Sequence, residues 1–344
     1  HEITNTDLTM KKYIISIVSD RYAKDVIGGG ASAKAPTDVI TLAKEAGYEE
    51  IVLKINAAAR KISQYLSLIF QLHKVSKLIE KGSEVFFQYP HINPSIMPLV
   101  MPMFRSFKKT AIIHDMNSVR VCGALSATEK RALSYFDKLY VHSENMKTFL
   151  ADKLDKRIEY RVIGCFPYIA APNEEERKAS KQVVFAGNLD KSKFLQSFIY
   201  CDSLLDIFLY GQTKDESSFV GRADYLGRFM PDDIQHLKGS WGLVWDGESS
   251  ETCSGYYGEY LKIIAPHKFS MYIAADLPVI VWNKSAMASI VGKYGVGVTV
   301  DSLKDVDNEI SKYMNGSSYD KLVNNVRCFA KQMMKPGNMF NDEK

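Results

Sequence analysis

Four short segments combine side chains that bind or move charge with backbone that can approach a ligand. The first, Pro266-His267-Lys268-Phe269-Ser270-Met271, sets a lysine, a histidine and a hydroxyl at the expected start of a helix. Free N–H groups and a cation at a helix N-terminus form a seat for an anion, and they would stabilise a diphosphate on which charge grows as a bond to it breaks. The second, Phe185-Ala186-Gly187-Asn188-Leu189-Asp190-Lys191, ends an apolar run. There Gly187 permits a tight strand-to-helix turn, and Lys191 would reach across a helix N-terminus toward a diphosphate. The third, Ile113-His114-Asp115, leads to Arg120. A carboxylate leaving a buried strand can act as general base toward a hydroxyl, with Arg120 to orient it and His114 as the alternative base; a plain turn cap fits Asp115 equally. The fourth is Gly28-Gly29-Gly30, between Ile27 and Ala31. Its glycines let backbone amides approach a ligand, but the G-x-G-x-x-G spacing is absent, and a mobile loop without catalytic duty fits as well.

No metal-ligand pattern accompanies these segments, and neither a metal nor a cofactor is expected. The D-x-D at Asp305-Val306-Asp307 lies far from them and reads as a helix start. Five widely spaced cysteines with no C-x-x-C pair suggest neither a disulfide framework nor a zinc site, and a reducing cytosol fits best. The net charge of +4 is the balance of 44 basic and 40 acidic residues scattered along the chain, so no concentrated field marks a nucleic-acid partner. No run reaches the ~20 apolar residues that span a bilayer. The nearest approach to a peripheral membrane contact is Ile92 to Phe107, followed by Lys108 and Lys109; a core helix broken by Pro98 and Pro102 is the stronger reading. The polar residues 1–9 lack the apolar core of a signal peptide, so structure is expected to start near Lys12.

The elements that must position these segments alternate as short β-branched runs and longer helical patterns, the mark of parallel βαβ units in an α/β fold. Strands are expected at 13–19, 50–55, 85–89, 110–114, 138–142 and 160–165, then at 183–186, 205–210, 243–245, 279–282 and 296–300. Helix starts are read at Pro36-Thr37-Asp38, at a capping box Ser126-Ala127-Thr128-Glu129, at Ser143, and near Lys191, Pro231, Tyr260, Ser285 and Leu303. A polar stretch, Ala171 to Lys178, reads as a linker. The chain thus divides into an N-terminal Rossmann-like domain over 12–172, a C-terminal one over 173–318, and an amphipathic closing helix over 319–340 that packs across both. In such a pair the carboxyl ends of both sheets face one cleft, where ligands of open α/β sheets bind.

In that setting Pro266-His267-Lys268-Phe269-Ser270-Met271-Tyr272, a small-residue turn, and Pro278-Val279-Ile280-Val281-Trp282 resemble the nucleotide-binding helix of GT-B glycosyltransferases. The likeness is strongest to bacterial galactofuranosyltransferases and to the glucosyltransferase that adds the second sugar to serine-rich-repeat streptococcal adhesins. Ile113-His114-Asp115 with Arg120, Phe185 to Lys191, Tyr225 to Asp232 and Gly242 to Trp245 follow in the same order, so the resemblance runs from Lys12 onward. It implies an inverting, metal-independent hexosyltransferase. A UDP-sugar would be the donor, and a glycan or glycoprotein ending in N-acetylglucosamine or a similar residue the acceptor. It implies Lys191 and Lys268 on the diphosphate, backbone from Pro266 to Met271 closing over it, Phe229 beside the uracil, and the Gly28 to Gly30 loop meeting the donor from the other domain. Met271 stands where a ribose-binding carboxylate is common and Asp276 where glycine is common. Asp246 to Thr252 and Gly255 to Tyr260 have the residue types that recognise sugars, and a mobile loop explains them equally. The expected setting is the cytoplasm or the inner face of the membrane, with a homo-oligomer compatible with the chain. A non-catalytic sugar-nucleotide-binding subunit and a sugar-nucleotide epimerase are the competing readings.

Overall fold

The structure, a computed structural model, describes residues 10–19, 31–173, 176–200 and 204–340. Among these are two six-stranded sheets. The first comprises β1 (Lys12–Ser19), β2 (Glu49–Ile55), β3 (Glu84–Tyr89), β4 (Lys108–Ile113), β5 (Lys138–Val141) and β6 (Glu159–Val162), in the order β2-β1-β3-β4-β5-β6. The second comprises β7 (Gln182–Asn188), β8 (Asp206–Gln212), β9 (Asp224–Tyr225), β10 (Trp241–Val244), β11 (Val279–Trp282) and β12 (Gly297–Val300), in the order β12-β11-β10-β7-β8-β9. Every neighbouring pair runs parallel. Strands β3, β5, β10 and β11 are buried along their whole length, so none shows the alternation of a half-exposed strand, and β10 and β11 are apolar or glycine throughout.

The helices of the first half are α1 (Ala31–Glu45), α2 (Lys61–Leu78), α3 (Met97–Val100), α4 (Asn117–Cys122), α5 (Ala127–Leu133) and α6 (Glu144–Ala151). Those of the second half are α7 (Phe194–Ile199), α8 (Gly255–Tyr260), α9 (His267–Ala274), α10 (Ala288–Tyr294), α11 (Val306–Ser311), α12 (Gly316–Met333) and α13 (Pro336–Phe340). Helix α12 fixes itself to the second half, where the Tyr319 hydroxyl donates to the Ser240 carbonyl at 2.6 Å. The chain then returns to the first sheet, and Phe340 packs among Tyr48, Phe86 and Tyr140. The last two helices therefore pack across both halves.

Several local expectations change. Helix α1 begins at Ala31 rather than at Pro36, which sits inside it and forgoes one ladder hydrogen bond. Near Pro231 the chain forms a short 3-10 turn, Ile234–His236, and Tyr260 ends a helix instead of starting one. The apolar stretch 92–107 is core: Met97, Val100, Met101, Phe104 and Phe107 are buried and Leu99 alone of its large apolar side chains is exposed, which leaves no apolar face for a membrane contact there. No helix among the described residues is long and apolar enough to cross a membrane. Asp305 completes a capping box with Ser302, and Asp307 pairs with Lys181 at 2.7 Å, so this D-x-D serves a helix start. Asp276 adopts the left-handed conformation (φ 58°) usually given to glycine, and Arg327 meets its carboxylate at 2.9 Å.

Strand order reverses direction between β1 and β3 in the first sheet and between β7 and β10 in the second. Such switch points open a crevice beyond the carboxyl ends of the strands. The residues that follow β4, β7 and β10 are those singled out for their chemistry.

Candidate active site

Helix α9 is pressed against the second switch point by the absence of one side chain. A Cβ on Gly242 in β10 would lie 2.3 Å from the Tyr272 ring, so only glycine lets that ring rest on the sheet. The Tyr272 hydroxyl in turn accepts a hydrogen bond from the Ala186 amide at 2.7 Å. The start of α9 is thus held beside the ends of β7 and β10. Pro266 is its N-cap and brings no side-chain acceptor; the Phe269 amide bonds the Pro266 carbonyl at 2.9 Å, and the first turn has no side-chain cap. Lys268 places its Nζ 4.6 Å over the Phe185 ring and 3.5 Å from the Trp245 carbonyl, a long hydrogen bond for an ammonium. Among the described residues no carboxylate forms an ion pair with it. Burial lowers its pKa, with the charge of Asp246 and the Cys253 thiol opposing. A half-buried cation without a direct ion-pair partner is stabilised by any anion that reaches it.

Gly187 lies within β7, paired with Gly211, and not in a turn. The close approach is at its partner: a Cβ on Gly211 would lie 1.7 Å from the Gly187 carbonyl oxygen, whereas one on Gly187 would make only ordinary contacts with Phe185 and Lys268. The turn follows it, where the Asn188 side chain accepts from the Lys191 amide at 3.1 Å. Lys191 is exposed and lies three residues before Phe194, the first residue of α7, so it does not sit on a helix N-terminus as the sequence suggested. Phe229 is half-buried, edge-on to Tyr210 at 5.5 Å. Within α9, Phe269, Ser270 and Met271 turn inward; Ser270 is 1% exposed, so its hydroxyl is not offered to the cleft. Gly28, Gly29 and Gly30 lie outside the described residues.

Across the cleft, Asp115 stands two residues beyond β4 in a network no single stretch of sequence contains. Its Oδ1 accepts from the Tyr260 hydroxyl at 3.0 Å, and Arg120 approaches Oδ2 at 3.2 Å. The same tyrosine oxygen accepts from the Met116 amide at 2.8 Å, fixing the loop as well as the carboxylate. Arg120 also donates to Asn117 Oδ1 at 2.9 Å and lies over the Tyr257 ring. Gly123 ends α4 at φ 72°, and a Cβ on it would meet the Tyr256 ring at 2.7 Å. The tyrosine-rich α8 therefore closes over the Asp115 to Gly123 segment. Burial raises the pKa of Asp115, while Arg120 and the Tyr260 hydrogen bond lower it. His114, stacked between His91 and Phe166, bonds Gln88 Oε1 through Nε2, and burial holds its pKa well below the ordinary value, making it the poorer base.

Only half of the capping box at Ser126 forms. The Ser126 side chain accepts from the Glu129 amide, but the buried Glu129 carboxylate turns to the first turn of α4 instead. It accepts from the Asn117 and Ser118 amides at 3.1 and 3.0 Å, and from the Tyr89 hydroxyl at 3.1 Å. Glu129 thereby holds the helix that carries Arg120. Beside it opens a groove of about 620 Å³ lined by Gln64, Tyr65, His91, Asn93, Asn117 and Thr128.

The two halves are joined around these groups. His142 donates through Nε2 to the Ile113 carbonyl at 2.7 Å and accepts at Nδ1 from the Ala265 amide at 3.1 Å, linking β4 to the approach to α9. Burial depresses its pKa to about 4. His267 stacks on Tyr168 at 4.8 Å, and burial depresses its pKa to about 4 as well. Lys34 of α1 bonds Asp38 at 2.7 Å and reaches Asp232 of the second half at 2.8 Å. Among the described residues, no three His, Cys, Asp or Glu side chains are grouped to hold a metal ion.

Residues 12–156 match the N-terminal domain of glucosyltransferase 3-like proteins, and residues 183–341 match the C-terminal domain of the same family. The β-1,6-galactofuranosyltransferase WbbI of Escherichia coli strain K12 is 29% identical over 321 residues, spanning 91% of this chain and 92% of WbbI. Glucosyltransferase 3 of Streptococcus gordonii is 29% identical over 197 residues, 56% of each chain. Among solved structures, the lipopolysaccharide outer core galactosyltransferase WaaB superposes with a TM-score of 0.59 at 11% identity, over 96% of this chain and 99% of WaaB. A UDP-forming trehalose-phosphate synthase from Burkholderia vietnamiensis gives 0.59 at 10% identity, over 95% and 97%. At these identities the superpositions speak to the fold, which is GT-B in both its sheets. With both of its halves matched in order, the chain belongs to the glucosyltransferase 3-like family of GT-B glycosyltransferases.

Proposed function

We propose that this glycosyltransferase is inverting and metal-independent, moving a hexosyl group from a UDP-sugar to a hydroxyl of a glycan or glycosylated protein in surface polysaccharide or adhesin glycosylation. The observation that carries the reading is Lys268: a half-buried ammonium with no ion-pair partner among the described residues, at a helix N-terminus, at the switch point of the second sheet. The UDP diphosphate seats there. As the anomeric carbon–oxygen bond breaks, the electron pair moves onto the β-phosphate oxygen, and the ammonium and amides meet that charge without a divalent ion. Asp115 takes the proton of the acceptor hydroxyl as its oxygen bonds the anomeric carbon from the opposite face, with Arg120 and Tyr260 holding the carboxylate. The acceptor enters along the groove between α2 and α4. Phe229 is the platform for uracil, Lys191 a second cation for the diphosphate, and the backbone of Pro266 to Met271 the wall that closes on it. WbbI, whose name gives the galactofuranosyl group, aligns along nearly the whole chain and supports that donor over glucose.

Two variants test the assignment. Lys268→Ala is expected to weaken UDP binding about tenfold or more by calorimetric titration, the loss of one charge-assisted contact. Asp115→Asn is expected to keep UDP affinity and to lower transfer by about 10²-fold to 10⁴-fold, the size of a lost general base. Unchanged transfer in both variants would reject the site.

A further inference from the structure

Helix α2 presents two opposed faces. Leu68, Leu72 and Val75 are buried against the first half, whereas Ile62, Leu66 and Phe70 are 72%, 62% and 70% exposed. Residues four apart advance only about 40° around an α-helix, so these three form one outward stripe along its first turns. His73, Lys74 and Lys77 continue that side toward the C-terminus, and Arg60 and Lys61 precede it, all exposed. From Asn56 to Ile79 the chain contains no aspartate or glutamate. Ordinary solvent-facing helices show the reverse pattern, with charges of both signs and few large apolar groups.

We propose that this face of α2 docks on an anionic lipid bilayer. Apolar side chains enter the headgroup boundary while the lysines meet lipid phosphates, the pattern of helices that lie in a membrane surface. The charge distribution decides against a second copy of the chain as occupant. Two such faces brought together would oppose cations to cations with no carboxylate on either helix to answer them. The proposal does not depend on the donor or on Asp115. It adds one consequence if the acceptor groove is as proposed: Gln64, Tyr65 and Leu68 on the neighbouring faces of α2 line that groove, so docking brings its mouth to the lipid surface.

Vesicle sedimentation with the full chain tests this, using phosphatidylcholine vesicles with and without phosphatidylglycerol. The chain is expected to partition about tenfold more strongly onto the anionic vesicles, less so as salt rises. The triple variant Ile62→Ser, Leu66→Ser, Phe70→Ser and the double variant Lys74→Glu, Lys77→Glu are each expected to lose about tenfold in partition. Their unfolding midpoints and UDP affinity should stay unchanged, because these side chains are exposed and outside the site. Failure of the wild-type chain to bind anionic vesicles, or equal binding by the triple variant, overturns the proposal. So does a wild-type dimer in sedimentation equilibrium that the triple variant abolishes, which would assign the face to a second copy.

Discussion

Asp115 sits between opposing influences. Burial favours its protonated form, and Arg120 and the Tyr260 hydroxyl favour the carboxylate. Hydrogen bonds to the charged form lower a carboxyl pKa, so Tyr260→Phe should raise it. The acid limb of the kcat/KM profile is then expected to move to higher pH, with transfer falling most on the acid side of the profile and UDP affinity unchanged. A pH series of UDP release measures both; an acid limb that stays in place would show that Asp115 is not the titrating base. Asp115 and Arg120 were legible in the sequence because they lie on one short loop after an apolar strand. Tyr260 was not, since it is 145 residues away and reaches Asp115 only through the packing of α8 on α4. Glu129 was legible as a cap but not in its actual task, because a capping box and a carboxylate turned to another helix share the same local spacing.

At the scale of elements, the site depends on how tightly α9 lies on β10. Gly242→Ala would force the Tyr272 ring away from the sheet, since ring and Cβ cannot share 2.3 Å. Overpacking of this kind costs about 1–3 kcal/mol. It should also weaken UDP binding, because the displaced helix carries Lys268. Gly292→Ala in α10 is the matched control: nothing lies within 4 Å of its Cβ, and alanine in a helix interior adds about 0.5–1 kcal/mol without displacing α9. Urea unfolding and UDP titration of both variants separate the two effects, and a Gly242→Ala chain as stable and as tight-binding as wild type would refute the packing argument. Eleven of the strands were readable from short β-branched and aromatic runs to within a few residues, most plainly where both faces are buried, as in β10 and β11. The two-residue β9 was missed, being too short to carry a pattern. Helix α8 was missed because its glycines and tyrosines have low intrinsic helix propensity, and its helical form comes from packing on α4.

For the whole molecule, the junction between the halves holds imidazoles that must remain neutral. His142 faces a carbonyl with Nε2 and a backbone N–H with Nδ1, so a proton added at Nδ1 would confront the Ala265 amide. Its pKa falls from about 6.5 in the unfolded chain to about 4 in the fold, and those of His91 and His267 also fall to about 4. Between those values the unfolded chain binds more protons, so stability is full above pH 6.5 and declines as pH falls toward 4. For His142 alone the loss reaches at most about 3 kcal/mol. The buried carboxylates Asp38 and Asp115, whose pKa values are raised, act in the opposite sense just above the ordinary carboxylate range and offset part of the decline. His142→Gln keeps an amide able to donate to Ile113 and removes the titration. Its urea midpoint should therefore fall less steeply between about pH 7 and pH 5 than that of the wild-type chain. Parallel slopes would mean that the acid sensitivity lies elsewhere. A shallower slope would place it at the seam between β4 and α9, which sets Asp115 of one sheet against Lys268 of the other, the two groups proposed to carry transfer.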